Sequence, residues 1–187
     1  IKPNTMTFEE AAAIPFAGLT AIDFIKKVKI QPGQKVLIYG ASSAVGTYTV
    51  QLAKYFGAEV TAVCSTANLE LVKSIGADKV IDYTKEDFTK NGETYDMIFE
   101  IVNKIPLSSY KNSVKENGSL ILVAALLSEM LSGLWLSLTS KKKVFTGMIS
   151  ETTENLNFLK ELFEKGKLKP KIDKRYPLEQ MAEAHSY

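Results

Sequence analysis

The stretch that decides the fold is "VLIYGASSAVGTYTVQLA", residues 36–53. A short apolar run without polar alternation enters a cluster of small residues, and Val45, Leu52, Ala53 and Phe56 then recur at helical spacing. An unalternating strand is expected where both faces of a sheet are covered. A strand-to-helix junction of this kind aims backbone N–H groups and the positive end of a helix dipole at one spot, which suits a pyrophosphate. The diphosphate must lie almost on the main chain, and Gly40, Ala41, Ser42, Ser43 and Ala44 are small enough to permit that. Gly46 lets the helix pack close to the strand. The match to G-x-G-x-x-G is imperfect, because Ser43 and Ala44 stand where glycine is usual.

Working outward, strand-like runs at Lys35–Tyr39, Glu59–Cys64, Val80–Ile81, Asp96–Ile101, Ser119–Ala124 and Val144–Ile149 alternate with helix-like runs. The helical runs are "AVGTYTVQLAKYFGA", "ANLELVKSIGA", "LSSYKNSVKENG", the segment 126–139 and "NLNFLKELFEKGKL". Gly57, Gly76 and Gly118 close three of them as expected left-handed caps. Such alternation predicts an α/β fold with a parallel, doubly wound sheet and helices on both faces. Ahead of it, "TFEEAAAIPFAGLTAIDFIKKVKI" reads as two helices broken at Pro15.

Composition narrows the function classes. With 23 basic and 21 acidic residues the net charge is +2, which gives no reason to expect a nucleic-acid partner. One cysteine, Cys64, excludes an internal disulfide, and with a single histidine, His185, no Cys/His zinc cluster can be built from this chain. A cytoplasmic, reducing setting is the expectation. "SLILVAALLSEMLSGLWLSLT" (119–139) is long enough to span a membrane, but Glu129 near its middle would cost about 3 kcal/mol there. It reads instead as a buried strand followed by an amphipathic helix, with Met130, Leu131, Leu134, Trp135 and Leu138 on one stripe facing the core, a subunit or a domain. "IKPNTMTFEE" has no apolar signal region and the chain does not begin with Met, so a fragment cut at both ends is expected.

Three rival readings of the glycine turn fail on residues. A P-loop requires Lys where Thr47 stands; none of the eight tyrosines heads a Tyr-x-x-x-Lys pair; and no acidic residue follows the second strand, as a methyltransferase would want. That missing carboxylate carries information. An NAD site places Asp or Glu at the end of the second strand to accept from the ribose 2′-OH. Here "CSTAN" (64–68) offers Ser65, Thr66 and Asn68 as neutral donors, which favours NADPH, with NADH as the alternative.

With these residues in view, "PGQKVLIYGASSAVGTYTVQLAKYFGAEVTAVCS" and "GADKVIDYTKEDF" resemble the cofactor domain of the zinc-independent quinone oxidoreductases of the medium-chain dehydrogenase/reductase superfamily. "AAAIPFAGLTA", "YDMIFEIV" and "KIDKRYPLEQMAEAH" extend the likeness over nearly the whole chain. The resemblance implies a six-stranded Rossmann fold over residues 35–170, binding NADPH for hydride transfer to a quinone or an α,β-unsaturated carbonyl. Residues 1–34 would lead in from an N-terminal GroES-like catalytic domain, and 171–187 would begin the return to it. By the same resemblance the backbone of Ser43, Ala44 and Val45 holds the pyrophosphate, and Ser65 and Tyr83 take the 2′-phosphate. Val102 lies against the adenosine or nicotinamide side, Thr20 lies near the nicotinamide, and a homodimer is the family habit. No catalytic residue is assigned within the chain. Two departures stand out: relatives often carry Lys where Asn68 stands, and Asn103 replaces a glycine. Glu100, inside an apolar strand, must be paired or neutral and is a candidate for a cofactor or substrate role. A stand-alone nucleotide-binding sensor is the alternative function.

Overall fold

The computed structural model describes residues 2–186, without the side chains of Leu127 and Glu129. The strands are β1 (Lys35–Tyr39), β2 (Glu59–Cys64), β3 (Lys79–Asp82), β4 (Tyr95–Glu100), β5 (Val114–Leu122) and β6 (Lys143–Phe145). The helices are α1 (Phe8–Ala13), α2 (Pro15–Val28), α3 (Ala44–Tyr55), α4 (Leu69–Ser74), α5 (Leu127–Thr139), α6 (Thr153–Glu164) and α7 (Met181–Ser186). All six strands pair in parallel in the order β3-β2-β1-β4-β5-β6, which is the doubly wound Rossmann arrangement. The order reverses direction between β1 and β4, so the crevice at their C-terminal ends is where a ligand is expected.

Alternation along β1 divides the interior. Val36 and Ile38 join the larger core beneath α2, α3, α4 and α6, whereas Leu37 and Tyr39 enter a smaller core on the other face. That second face is covered by Phe88 and Tyr110, both buried and carried on short 3-10 turns (Phe88–Lys90 and Leu107–Asn112), and by α5 beyond them.

Local chemistry explains the boundaries. Thr7 and Glu10 form a reciprocal capping box at the start of α1, and Pro15 opens α2 at a position where its missing N–H is harmless. Gly57 and Gly76 do take left-handed φ values of 85° and 111° after α3 and α4. The expectation for "LSSYKNSVKENG" is overturned: residues 107–112 form a 3-10 turn, and β5 begins at Val114 rather than Ser119. Val114 pairs with Tyr95 and Ser119 with Met97, so the residues between bulge outward, with Asn117 left-handed at φ 62°. Gly118 is therefore no helix cap. A Cβ there would fall 2.9 Å from the Lys115 carbonyl oxygen and 3.0 Å from that of Asp96, so the bulge closes only over glycine. β5 and β6 also end earlier than expected, at Leu122 and Phe145.

The α5 stripe is the other correction. Leu131, Leu134, Trp135 and Leu138 point outward, Trp135 at 71% and Leu138 at 74% exposure, so the stripe is not core in this chain. Gly133 is instead the inward residue: a Cβ there would meet Val144 at 2.8 Å, and the Val144 N–H donates to Ser137 Oγ at 3.1 Å. Small and polar residues make the close approach to β6, which leaves the apolar face outside. Among the described residues no helix is long and apolar enough to cross a membrane; Glu129, the residue that disfavours a span in the sequence, lies outside the described side chains.

Candidate cofactor site

At the end of β1 the chain turns through Gly40, whose φ of 85° is left-handed. A Cβ on Gly40 would come within 2.6 Å of Val102 Cγ1, from the loop after β4. Gly46, on the first turn of α3, is held more tightly still: its Cβ would lie 2.1 Å from the Gly40 carbonyl oxygen and 2.8 Å from the backbone of Ala41. Gly46 is thus fixed by contact between main chains, and Gly40 by its own conformation and by Val102.

Ser43 does not need to be glycine. It sits in ordinary extended backbone (φ −70°) as the N-cap of α3, its Oγ accepting from Gly46 N–H at 3.1 Å and donating to the Gly40 carbonyl at 2.8 Å. Gly40 and Ala41 donate to the Val63 carbonyl, and Ser43 N–H to that of Gly40. The N–H groups of Ser42, Ala44 and Val45 are left with no internal acceptor among the described residues. A glycine-walled turn with three open N–H groups at a twelve-residue helix fits a pyrophosphate.

The turn forms one wall of a cleft, through Gly40, Ser42 and Ser43. A second wall is Ser65, Asn68 and Tyr83, at the ends of β2 and β3, and a third is Val102 with Lys104. Asn68 Nδ2 donates to Ser65 Oγ at 3.2 Å, so these two are arranged before any ligand arrives. Tyr83 is 48% exposed, with its ring 6.4 Å from that of Tyr39. Thr20 is not among the lining residues. It is buried in α2 with its hydroxyl donating to the Phe16 carbonyl at 2.7 Å.

Cys64 lies in the cleft lining, but burial and then the Asp82 charge push its thiol up, so it stays protonated at neutral pH. His185 is exposed on α7, away from the cleft. Glu100 acts on the backbone: its Oε1 accepts from Val102 N–H at 2.9 Å and Asn103 N–H at 2.7 Å, pinning the loop that covers Gly40. Asn103 adopts φ 50°, a left-handed position asparagine tolerates better than most residues, which explains how it replaces glycine.

Two features of the cleft and its rim escaped sequence reasoning. Asp82, at the end of β3, accepts from the hydroxyls of Thr66 and Thr84, which hold its pKa at about 2. The Asp-x-Thr spacing of residues 82–84 was its signal. Lys104 had none, since it belongs to no motif and reaches the cleft only through the loop Glu100 anchors.

Residues 75–187 match the zinc-binding dehydrogenase family. The chain is 36% identical to a chloroplast envelope quinone oxidoreductase homolog of Arabidopsis thaliana, over 98% of this chain and 59% of that protein. It is 31% identical to an NADPH-dependent alkenal/one oxidoreductase of the same plant, over 100% of this chain and 46% of that protein. The quinone oxidoreductase of Coxiella burnetii superposes with a TM-score of 0.89 at 27% identity, covering 99% of this chain and 58% of the other. The chain thus spans about half to three-fifths of the length of these relatives. The metal in the family's name finds no fit here: among the described residues no three His, Cys, Asp or Glu side chains cluster to hold one. From its sheet order, its glycine-walled turn and these likenesses, the chain belongs to the zinc-binding dehydrogenase family, as the cofactor-binding domain of a quinone oxidoreductase-like medium-chain dehydrogenase/reductase.

Proposed function

We propose that this chain is the NADPH-binding domain of an oxidoreductase that reduces a quinone or an α,β-unsaturated carbonyl. The observation that carries the reading is the single cleft that joins the open N–H groups of the α3 turn to the neutral donors Ser65, Asn68 and Tyr83. Among the described residues no carboxylate lines that cleft, so no lining residue takes the place of the acidic group that would favour a free ribose 2′-OH. The names of the two plant relatives agree with the reading. When bound, nicotinamide supplies a hydride from C4 to the electrophilic carbon of such an acceptor. The chain's own residues bind and orient: the α3 turn takes the pyrophosphate, Gly40 and Gly46 let it approach, and Val102 closes over the turn. The opposite wall of the substrate cleft is assigned to a further domain, joined through residues 1–34 and 171–187, in the length of the relatives this chain does not span.

The same reading includes a homodimer, supported by the outward apolar stripe of α5 beside β6, which is an edge strand of the sheet among the described residues. A cytoplasmic setting is supported by the unpaired thiol of Cys64. Calorimetric titration with NADPH and NADH in parallel tests the function. NADPH is expected to bind about tenfold more tightly or better. Equal affinities would remove the NADPH preference, and binding of neither would remove the dinucleotide site.

A further inference from the structure

Lys104 is the one charged residue among the described residues that line the cleft. Among the described residues no carboxylate lies within salt-bridge reach of it, whereas Lys85, close to Tyr83 in sequence, is already committed to Asp82 at 3.6 Å. The loop that presents Lys104 is anchored. Glu100 Oε1 gathers the N–H groups of Val102 and Asn103, Asn103 is left-handed at φ 50°, and Lys104, the next residue, lines the same cleft as Ser65 and Asn68.

A 2′-phosphorylated dinucleotide brings two anionic groups to this cleft. The pyrophosphate is provided for by backbone N–H groups and the α3 dipole. The 2′-phosphate, near two negative charges, would meet only neutral donors on the β2–β3 wall, where "CSTAN" contains no cation. It would also stand near ionised Asp82, which lies beside Thr66 and just before Tyr83. A cation from another wall is what that group lacks. We propose that Lys104 is the residue that reads the 2′-phosphate, supplying from the β4 loop the positive charge that the β2 end does not hold. This rests on the dinucleotide reading above and assigns a specificity-determining residue within it.

The test compares the unaltered chain with Lys104→Gln and Lys104→Arg, using NADPH, NADH, 2′,5′-ADP and 5′-AMP as probes. Lys104→Gln is expected to weaken NADPH and 2′,5′-ADP by roughly 10- to 100-fold, the effect of losing a charge-assisted contact, while NADH and 5′-AMP change less than about twofold. Lys104→Arg should keep most of the NADPH affinity, and the salt dependence of NADPH binding should flatten in Lys104→Gln alone. Equal loss on NADPH and NADH would overturn the proposal by assigning Lys104 to the pyrophosphate, and no loss on either would overturn it outright. Failure of the unaltered chain to bind any of the four probes would instead overturn the dinucleotide reading beneath it. Because Lys104 is exposed, all three proteins should unfold at the same temperature, which separates recognition from folding.

Discussion

The β1–α3 junction and the α5–β6 end are written in similar letters, small residues beside aliphatic ones, and meet opposite fates. In α3, Val50, Leu52 and Ala53 are fully buried, and Gly46 brings the helix against the strand that feeds it. In α5, Gly133 also brings the helix against a strand, yet Leu134, Trp135 and Leu138 are left outside. The difference is position in the sheet. α3 is flanked by α2 and lies over β1 and β2 near the middle, while α5 lies at the β6 edge, with no helix on its outer side among the described residues. An apolar face is buried only where a neighbour is available to cover it.

The largest expected effect would break the first region. Gly46→Val places side-chain atoms where the Gly40 carbonyl already stands, so α3 must shift from the turn. We expect a loss of about 2 kcal/mol or more in unfolding free energy and no measurable dinucleotide binding, checked by denaturant unfolding and calorimetry. A variant that still binds as the parent does would refute the close-approach account of the turn.

Acid should discriminate the regions next. Burial pushes the Asp96 carboxyl up, but the Lys115 ammonium and the Lys35 N–H together pull it below its ordinary 3.8. A depressed carboxylate contributes stability that is present above the unfolded value and is lost as pH falls through the folded one. The thermal midpoint should therefore hold down to about pH 4 and drop below it. In Asp96→Asn that drop should be shallower; an identical acid limb would assign the stability elsewhere. The α5–β6 end is tied by Lys142 Nζ donating to the Val114 carbonyl, a bond in which no carboxylate takes part directly.

The smallest expected effect sharpens the second region. Leu134→Ser with Trp135→Ser removes mainly exposed surface, so the unfolding free energy of the monomer should change by less than about 1 kcal/mol at each site. Sedimentation should then report a change in association state without a change in fold. A large destabilisation would mean that the stripe is covered within the chain after all.

Much of the fold was legible in residue order. Unalternating strands, Pro15, Gly57 and Gly76 announced a parallel sheet with helical crossovers, and the tight strand-to-helix turn could be read from Gly40 to Gly46. The 107–118 segment was misread because its helical pattern and terminal glycine were outweighed by pairing of Val114 with Tyr95, a contact no local window contains. Lys104 was invisible for the same reason. Its place in the cleft depends on Glu100 holding a loop whose Val102 packs on Gly40, and the two strands that bring them together are neighbours in space although 60 residues apart in the chain.

The sequence by itself determined the alternation, the caps at Gly57 and Gly76 and the small residues of the β1–α3 turn, because each is set by a residue's own conformational range or by neighbours within a turn. Only the tertiary structure decided which apolar face was covered and which cation faced the cleft. Burial and electrostatic proximity are properties of the surfaces that meet, and which surfaces meet is fixed by the order of strands in the sheet.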